Sequence, residues 1–225
     1  MIESGVTSGG RLDDLVRALA GRVPAEERAG VEAATDRLSA FLSILLEKNE
    51  AMNLVSARSA DPEVLVETHL FDALLGLALL PRPQSGAVRL LDLGSGGGFP
   101  AIPLLIVRPD LAGTLVESSR KKAAYLDEAL GRLALTSRAV NARFPDSFPV
   151  DGASRYDVLT TRAVGSAGKL VRSARPFLAP GARALLWTTR PLADEAAQAS
   201  RAKNHAFHPA PGAGLRGILS LECFT

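Results

Sequence analysis

The sequence predicts an α/β protein: a mostly parallel sheet with crossover helices on both faces, a C-terminal antiparallel hairpin and an N-terminal helical extension. Three observations predict it. From Val88 onward, short apolar runs alternate with helically spaced ones. The first run, LLDL, opens directly into Gly94-Ser95-Gly96-Gly97-Gly98. Two further β-like segments flank Pro211-Gly212-Ala213-Gly214 near the end. The 225 residues, 47% of them hydrophobic, suffice for one sizeable core, and we divide them into a helical extension over 1–86, packed on a core domain over 87–225.

The opening string MIESGVTSGG is small and polar, with no apolar stretch behind a basic start, and reads as a loose terminus rather than a signal peptide. A helix follows, with Leu38, Phe41, Leu42, Leu45 and Leu46 on one face, ending near Lys48-Asn49-Glu50. A second helix opens at Asp61-Pro62-Glu63, where Asp61 can cap the free N–H groups and Pro62 suits the first helical position. Val64, Leu65, Leu70, Leu74 and Leu75 supply its apolar contacts, and Pro81, Pro83 and Gly86 break the chain. Strands are expected over 88–93, 112–117, 138–143, 156–161 and 182–188, and helices over 100–108, 119–134, 166–178 and 191–203. In 119–134, Tyr125, Leu126, Ala129, Leu130 and Leu133 recur at helical spacing behind a cap at Ser118 or Ser119. The hairpin pairs 204–210 with 217–224.

The lone cysteine, Cys223, excludes an internal disulfide and a multi-cysteine metal site, and fits a reducing cytoplasm. No apolar run is long enough to span a membrane, so no membrane partner is expected. Charge is uneven: residues 1–90 carry 9 Lys+Arg against 13 Asp+Glu, whereas residues 91–225 carry 17 against 11. A basic second part suits a polyanionic partner; the plainer alternative is a solvated surface of mixed charge.

In an open parallel sheet, ligands bind outside the carboxyl ends of the strands near the switch in strand order, which is where the glycine turn lies. Phe99 occupies the position at which a dinucleotide fingerprint needs its third glycine, so pyrophosphate binding is disfavoured. Glu117 ends the second strand, 19 residues after Gly98. A carboxylate there can accept both hydroxyls of a ribose, which makes turn and acid together an adenosine-type site. The alternative is a strand-to-helix turn that merely needs glycine, with Glu117 favouring the next helix through its dipole.

LDLGSGGGFPAIPL, followed by Arg108-Pro109-Asp110, Glu117-Ser118 and Lys121-Lys122 with Tyr125-Leu126, resembles the glucose-inhibited division protein B family, the small-subunit ribosomal RNA guanine-N7 methyltransferases. Further matches are Asn49-Glu50, Asn53-Leu54, Arg58, His69 with Asp72, and Thr161-Arg162-Ala163-Val164. The resemblance runs from about Leu38 to Gly181. It implies a Rossmann-like class I methyltransferase fold, S-adenosylmethionine as cofactor, and methylation of a guanine N7 near the decoding centre of 16S ribosomal RNA. The implied partner is that RNA or the small-subunit particle, met in the cytoplasm by a monomer.

Residue by residue, the resemblance implies that Gly94, Ser95, Gly96, Gly98 and Phe99 line the methionine and ribose side of the cofactor, and that Glu117 holds the ribose. Arg143-Phe144-Pro145 resembles the family's adenine-contacting turn, with Arg143 a candidate for substrate binding. His69 and Asp72, three residues apart on one helix face, can reach the RNA or brace the cofactor domain, and His69 is the second candidate for substrate binding. Arg162 matches the catalytic arginine between cofactor and target. Plainer alternatives are core packing for Phe99, a loop anchor for Phe144, a structural ion pair for Arg162 and helix packing for His69 with Asp72. The chain departs from the pattern at Pro145, where an acid is usual, at Ala142, where glycine is usual, and at Trp187-Thr188-Thr189, where a lysine–glycine pair is common. Its ending, LSLECFT, lacks the usual basic residues.

Guanine N7 carries a lone pair and no proton, so methylation there needs no general base. An amino-group methylase would show an Asp/Asn-Pro-Pro-aromatic turn after the fourth strand, which instead ends Thr160-Thr161-Arg162-Ala163-Val164, and a ring-carbon methylase would need a cysteine nucleophile. Two alternatives remain: a methyltransferase for a protein or small-molecule acceptor, and a non-catalytic binding protein of the same fold.

Overall fold

The computed structural model describes residues 8–83, 86–148, 155–162 and 166–223; residues 1–7, Ala163-Val164 and Phe224-Thr225 among the stretches read above lie outside these. The chain opens with helices α1 (Ser8–Ala20), α2 (Ala25–Ala33) and α3 (Thr35–Met52). Helix α1 begins inside the string expected to be a loose terminus. Leu12, Val16 and Leu19 recur at three- and four-residue spacing and are all buried, so packing holds a helix whose first turn is glycine-rich. Helix α3 buries Leu38, Phe41, Leu42 and Leu45 as the periodicity requires. It ends at Asn53, which adopts a left-handed backbone with φ 49°, and the Asn49 carboxamide accepts the Val55 N–H at 2.8 Å.

Helix α4 (Pro62–Leu65), one π-helical turn (Val66–Leu70) and α5 (Phe71–Leu75) form a continuous coil. Asp61 caps it, accepting the N–H groups of Glu63 and Val64 at 3.0 and 3.1 Å.

The sheet follows as β1 (Val88–Leu93), α6 (Ala101–Val107), β2 (Leu111–Glu117), α7 (Arg120–Arg132), β3 (Arg138–Asn141), β4 (Tyr156–Arg162), α8 (Ala167–Ala174), β5 (Leu178–Thr189), α9 (Arg190–Ser200), β6 (Asn204–Pro209) and β7 (Arg216–Cys223). Strand order is β3-β2-β1-β4-β5-β7-β6. The first five strands are parallel, and β7 runs antiparallel to both β5 and β6. The fold is thus the expected α/β arrangement with its closing hairpin.

Several bounds differ from the sequence pattern, and three of them have a local cause. Strand β3 stops early because Arg143 and Ser147 turn the chain, the Arg143 N–H donating to the Ser147 hydroxyl at 2.9 Å. Strand β5 starts earlier, since Leu178 pairs with Tyr156 before a register shift. Helix α8 gives way at Ala174 to a 3₁₀ turn containing Pro176.

Alternation along the strands sends Leu90, Leu115, Val158 and Leu185 to one face and Leu91, Val116, Leu159 and Leu186 to the other. The first face is covered by α6 and α7 and by the N-terminal helices, in one apolar cluster that runs from Leu12 to Ile218. All seven residues of α6 are buried, because it is packed between the sheet and α2, α3 and α5. The AIPLLIV sequence has no polar face because the helix has no wet side.

Candidate active site

At the carboxyl end of β1 the chain turns on glycines whose missing side chains serve different neighbours. Gly94, Gly96 and Gly98 all have positive φ, at 77°, 52° and 92°. A Cβ on Gly96 would meet nothing nearer than the Gly94 carbonyl at 3.8 Å, so this residue borders an open cleft. A Cβ on Gly97 would lie 3.2 Å from Leu45 of α3, and one on Gly98 2.6 Å from Ile102 of α6. The turn thus serves the cleft at Gly96 and the packing of helices at Gly97 and Gly98. Ser95 is buried, and its hydroxyl donates to the Asp92 carbonyl at 3.3 Å.

Glu117, at the end of β2 and buried, accepts the Gly96 N–H at 3.0 Å and the Ser119 N–H at 2.8 Å. Ser119 in turn caps α7 through the Lys122 N–H. The Ser118 hydroxyl also donates to it, at 3.4 Å. The carboxylate therefore fixes both the glycine turn and the start of α7, and with about four acceptor sites in all it keeps capacity for a ligand, chiefly on Oε2, which among the described residues only Gly96 engages. The turn after β3 adjoins it, because the Ala142 N–H donates to the Glu117 carbonyl at 3.1 Å. Within that turn Arg143 and Pro145 are exposed, and the Phe144 ring packs with Phe148 and Phe177 at 5.4 and 5.6 Å. Phe99 is buried, with its ring 5.1 Å from Phe41 and 5.3 Å from His69. Both phenylalanines make the packing contacts that their plainer alternatives require.

Strand register carries the edge onward. Leu93 pairs with Thr161, Arg162 with Trp187 and Trp187 with Ile218, so Arg162 stands between the glycine turn and the ends of β5 and β7. Its guanidinium donates to the Thr68 carbonyl at 2.9 Å, within the π-helical turn, and lies 4.0 Å from the Asp72 carboxylate. Burial lowers the pKa of Arg162, and Asp72 opposes the shift. Arg216 donates to Asp72 at 2.9 Å. Burial, and then the charges of Arg162 and Arg216, push His69 down to about 4, so its ring is neutral at physiological pH. His69, Asp72, Arg162 and Arg216 are thus one cluster.

Sequence reasoning missed Arg216 and the buried Asp92. Asp92 had a signal, an acid inside the apolar run LLDL; Arg216 had only its place beyond the glycine-rich hairpin turn. Trp187, a departure from the family pattern, donates its indole N–H to the Asp72 carbonyl at 2.7 Å and covers Gly76, where a Cβ would lie 2.5 Å from the ring. Among the described residues, no three His, Cys, Asp or Glu side chains gather as metal ligands, and no helix is long and apolar enough to cross a membrane.

A mostly parallel sheet of this order, with a glycine turn after β1 and an acid closing β2, defines a Rossmann-like class I methyltransferase fold. Solved structures share it: the mitomycin 7-O-methyltransferase MmcR (TM-score 0.54, 17% identity, covering 96% of this chain and 72% of that one) and a precorrin-6y C5,15-methyltransferase from Geobacter metallireducens GS-15 (TM-score 0.52, 15% identity, 66% and 86%). Residues 34–208 match the family described as rRNA small subunit methyltransferase G. Relatives of that name include those of Sorangium cellulosum (41% identical over 165 residues, 73% of this chain and 68% of the relative) and Acidiphilium cryptum (37% over 169 residues, 73% and 75%). The chain belongs to this family, whose members are S-adenosylmethionine-dependent methyltransferases.

The residues present fit that cofactor: Gly96 leaves the cleft open, and Glu117 retains acceptor capacity beside it. Glu117→Ala should weaken S-adenosylmethionine binding in calorimetric titration on the order of a hundredfold, through loss of two charge-assisted hydrogen bonds. Unchanged affinity in the folded variant would remove Glu117 from the site.

A pH dependence follows from Asp92. Burial pushes its carboxyl up to about 6, opposed by the neighbouring Ser95 hydroxyl and by the hydrogen bond from Thr160 at 2.6 Å. A folded pKa above the unfolded value means that ionisation costs stability; the cost is absent below about pH 4 and complete above about pH 6. Unfolding free energies should therefore show Asp92→Asn gaining on the wild type by about 3 kcal/mol between those limits. Parallel pH profiles would contradict this.

Proposed function

We propose that this protein methylates N7 of a guanine in 16S ribosomal RNA near the decoding centre, as a monomer in the cytoplasm, acting on the RNA or the small-subunit particle. The observation that carries the acceptor is membership of the rRNA small subunit methyltransferase G family over residues 34–208. In this reading Gly94, Ser95, Gly96 and Glu117 hold the methionine and ribose parts of the cofactor, with Gly98 and Phe99 supporting the turn from behind. Ala142, Arg143, Phe144 and Pro145 form the adenine side. The helical extension over 1–86 supplies the wall carrying His69 and seats Arg162 through Thr68.

Bound S-adenosylmethionine supplies an electrophilic methyl group on a sulfonium. The chain's own residues orient the base, exclude water and hold charge. Arg162 is the catalytic residue, fixed between cofactor and target by the Thr68 carbonyl. No general base is needed at N7, and alignment of this kind supplies on the order of 7–11 kcal/mol. Cys223 suits no covalent route: it is buried in β7, and burial pushes its thiol up to about 11. Arg143, exposed beside the adenine turn, is placed for a phosphate, and His69 for the RNA side of the wall. Trp187-Thr188-Thr189, in place of a lysine–glycine pair, favours as a second reading an acceptor other than this RNA.

Purified protein should transfer label from methyl-labelled cofactor to small-subunit particles, and digestion should release it as 7-methylguanine. The rate should fall steeply with added salt, because phosphate contacts release counterions. Label on protein, or on another atom of the RNA, would overturn the proposal.

A further inference from the structure

Beside Arg162, on the side away from the glycine turn, a cavity of about 330 Å³ opens over the ends of β4, β5 and β7. Its volume falls within the range of about 300–1,000 Å³ usual for small-ligand pockets. Leu75, Trp187 and Leu192 give it apolar walls, and Asp72, Arg162 and Arg216 a charged end. Two buried polar atoms at that end have no hydrogen-bond partner among the described residues: Asp72 Oδ1 and Arg162 Nη1. The other Asp72 oxygen is taken by Arg216 at 2.9 Å, which fixes the carboxylate and leaves Oδ1 spare. Asp72 is only 7% exposed, and a buried acceptor without a partner is costly. Both atoms are fully covered in this structure, so a ligand that donates to Oδ1 and accepts from Nη1 would satisfy them once the side chains over them shift.

Guanine offers that pairing on one edge. Its exocyclic amine and N1–H are donors, O6 is an acceptor, and N7 lies just beyond O6. We propose that this cavity receives the acceptor guanine, with Asp72 Oδ1 accepting from N1–H and the exocyclic amine and Arg162 Nη1 donating to O6. The inference rests on the guanine-N7 reading above and adds the residue that selects the base. In this pose O6 and N7 face Arg162, whose strand β4 is the neighbour of β1 and so the side from which the glycine turn is reached. Adenine reverses both positions, bringing its N1 acceptor to Asp72 and its amine to Arg162. A base read on this edge cannot be paired at the same time, so the target guanine enters unpaired. Leu192, 56% exposed, stands at the mouth, and Leu215, 64% exposed, stands next to Arg216. Burial raises the pKa of Asp72, while Arg216 and Arg162 oppose the shift and favour the carboxylate.

Trp187 lines the cavity and is the protein's single tryptophan, so its fluorescence reports on this site alone. With the cofactor site saturated by S-adenosylhomocysteine, guanosine monophosphate should change that fluorescence. Inosine monophosphate, which lacks the exocyclic amine, should bind roughly tenfold or more weakly, and adenosine monophosphate more weakly still. Asp72→Asn should abolish the guanosine–inosine difference while leaving calorimetric S-adenosylmethionine affinity unchanged. Equal affinities for the two nucleotides in the wild type, or no response to guanosine monophosphate, would overturn the inference even if the variant fails to fold. Absence of 7-methylguanine on particles with the guanosine–inosine gap intact would count against the proposed function and not against the pocket.

Discussion

The structure depends on how closely backbone can approach backbone and side chain where the chain leaves β1. Three successive residues without Cβ atoms face three directions: Gly96 to the cleft, Gly97 to Leu45 and Leu54, Gly98 to Ile102 and Phe41. A side chain at Gly98 would overlap Ile102 of α6 and strain a backbone with φ 92°, and one at Gly97 would crowd Leu45 of α3 and the Leu54 carbonyl. The N-terminal helices, the buried helix α6 and the ligand cleft therefore meet at one turn, and the Glu117 carboxylate pins it through the Gly96 N–H.

Along the same edge, charge is arranged by burial and not by net excess. Asp92 sits beneath the turn with one oxygen bound by Thr160 and the other without a partner among the described residues. Arg162 and Arg216 share the Asp72 carboxylate, and the neutral His69 stands close by without adding a third cation. The π-helical turn supplies the carbonyl that seats Arg162, a use of irregular helix that recurs at functional sites. Helix irregularity, strand register and the acid on α5 thus combine to hold one guanidinium between the two halves of the edge.

Much of this was legible in the sequence where the determinant is local. The bounds of β1, the glycine turn, the Asp61 and Ser119 caps and the acid at the end of β2 all follow from neighbouring residues. Helix α1 escaped because its apolar stripe begins behind a glycine-rich string, and its stability comes from tertiary burial. Strand β5 was read short because Pro180-Gly181 interrupts its pattern, although those residues are exposed within the strand. The contacts of Phe99 and Phe144 depend on partners from other elements. Asp72 and Arg216 are 144 residues apart, so their pairing has no local trace. Trp187 is legible in the sequence only as a departure from the family pattern; in the fold its indole ties β5 to α5 through the Asp72 carbonyl.

The central claim is that this edge of the sheet methylates N7 of guanine in small-subunit RNA, and mapping N7-methylated guanines in cells tests it most directly. Reduction followed by aniline cleavage of 16S RNA should show a cut in cells that carry the protein. The cut should disappear when the gene is removed, return with the wild-type chain and fail to return with Glu117→Ala. An identical cleavage map with and without the protein would contradict the account.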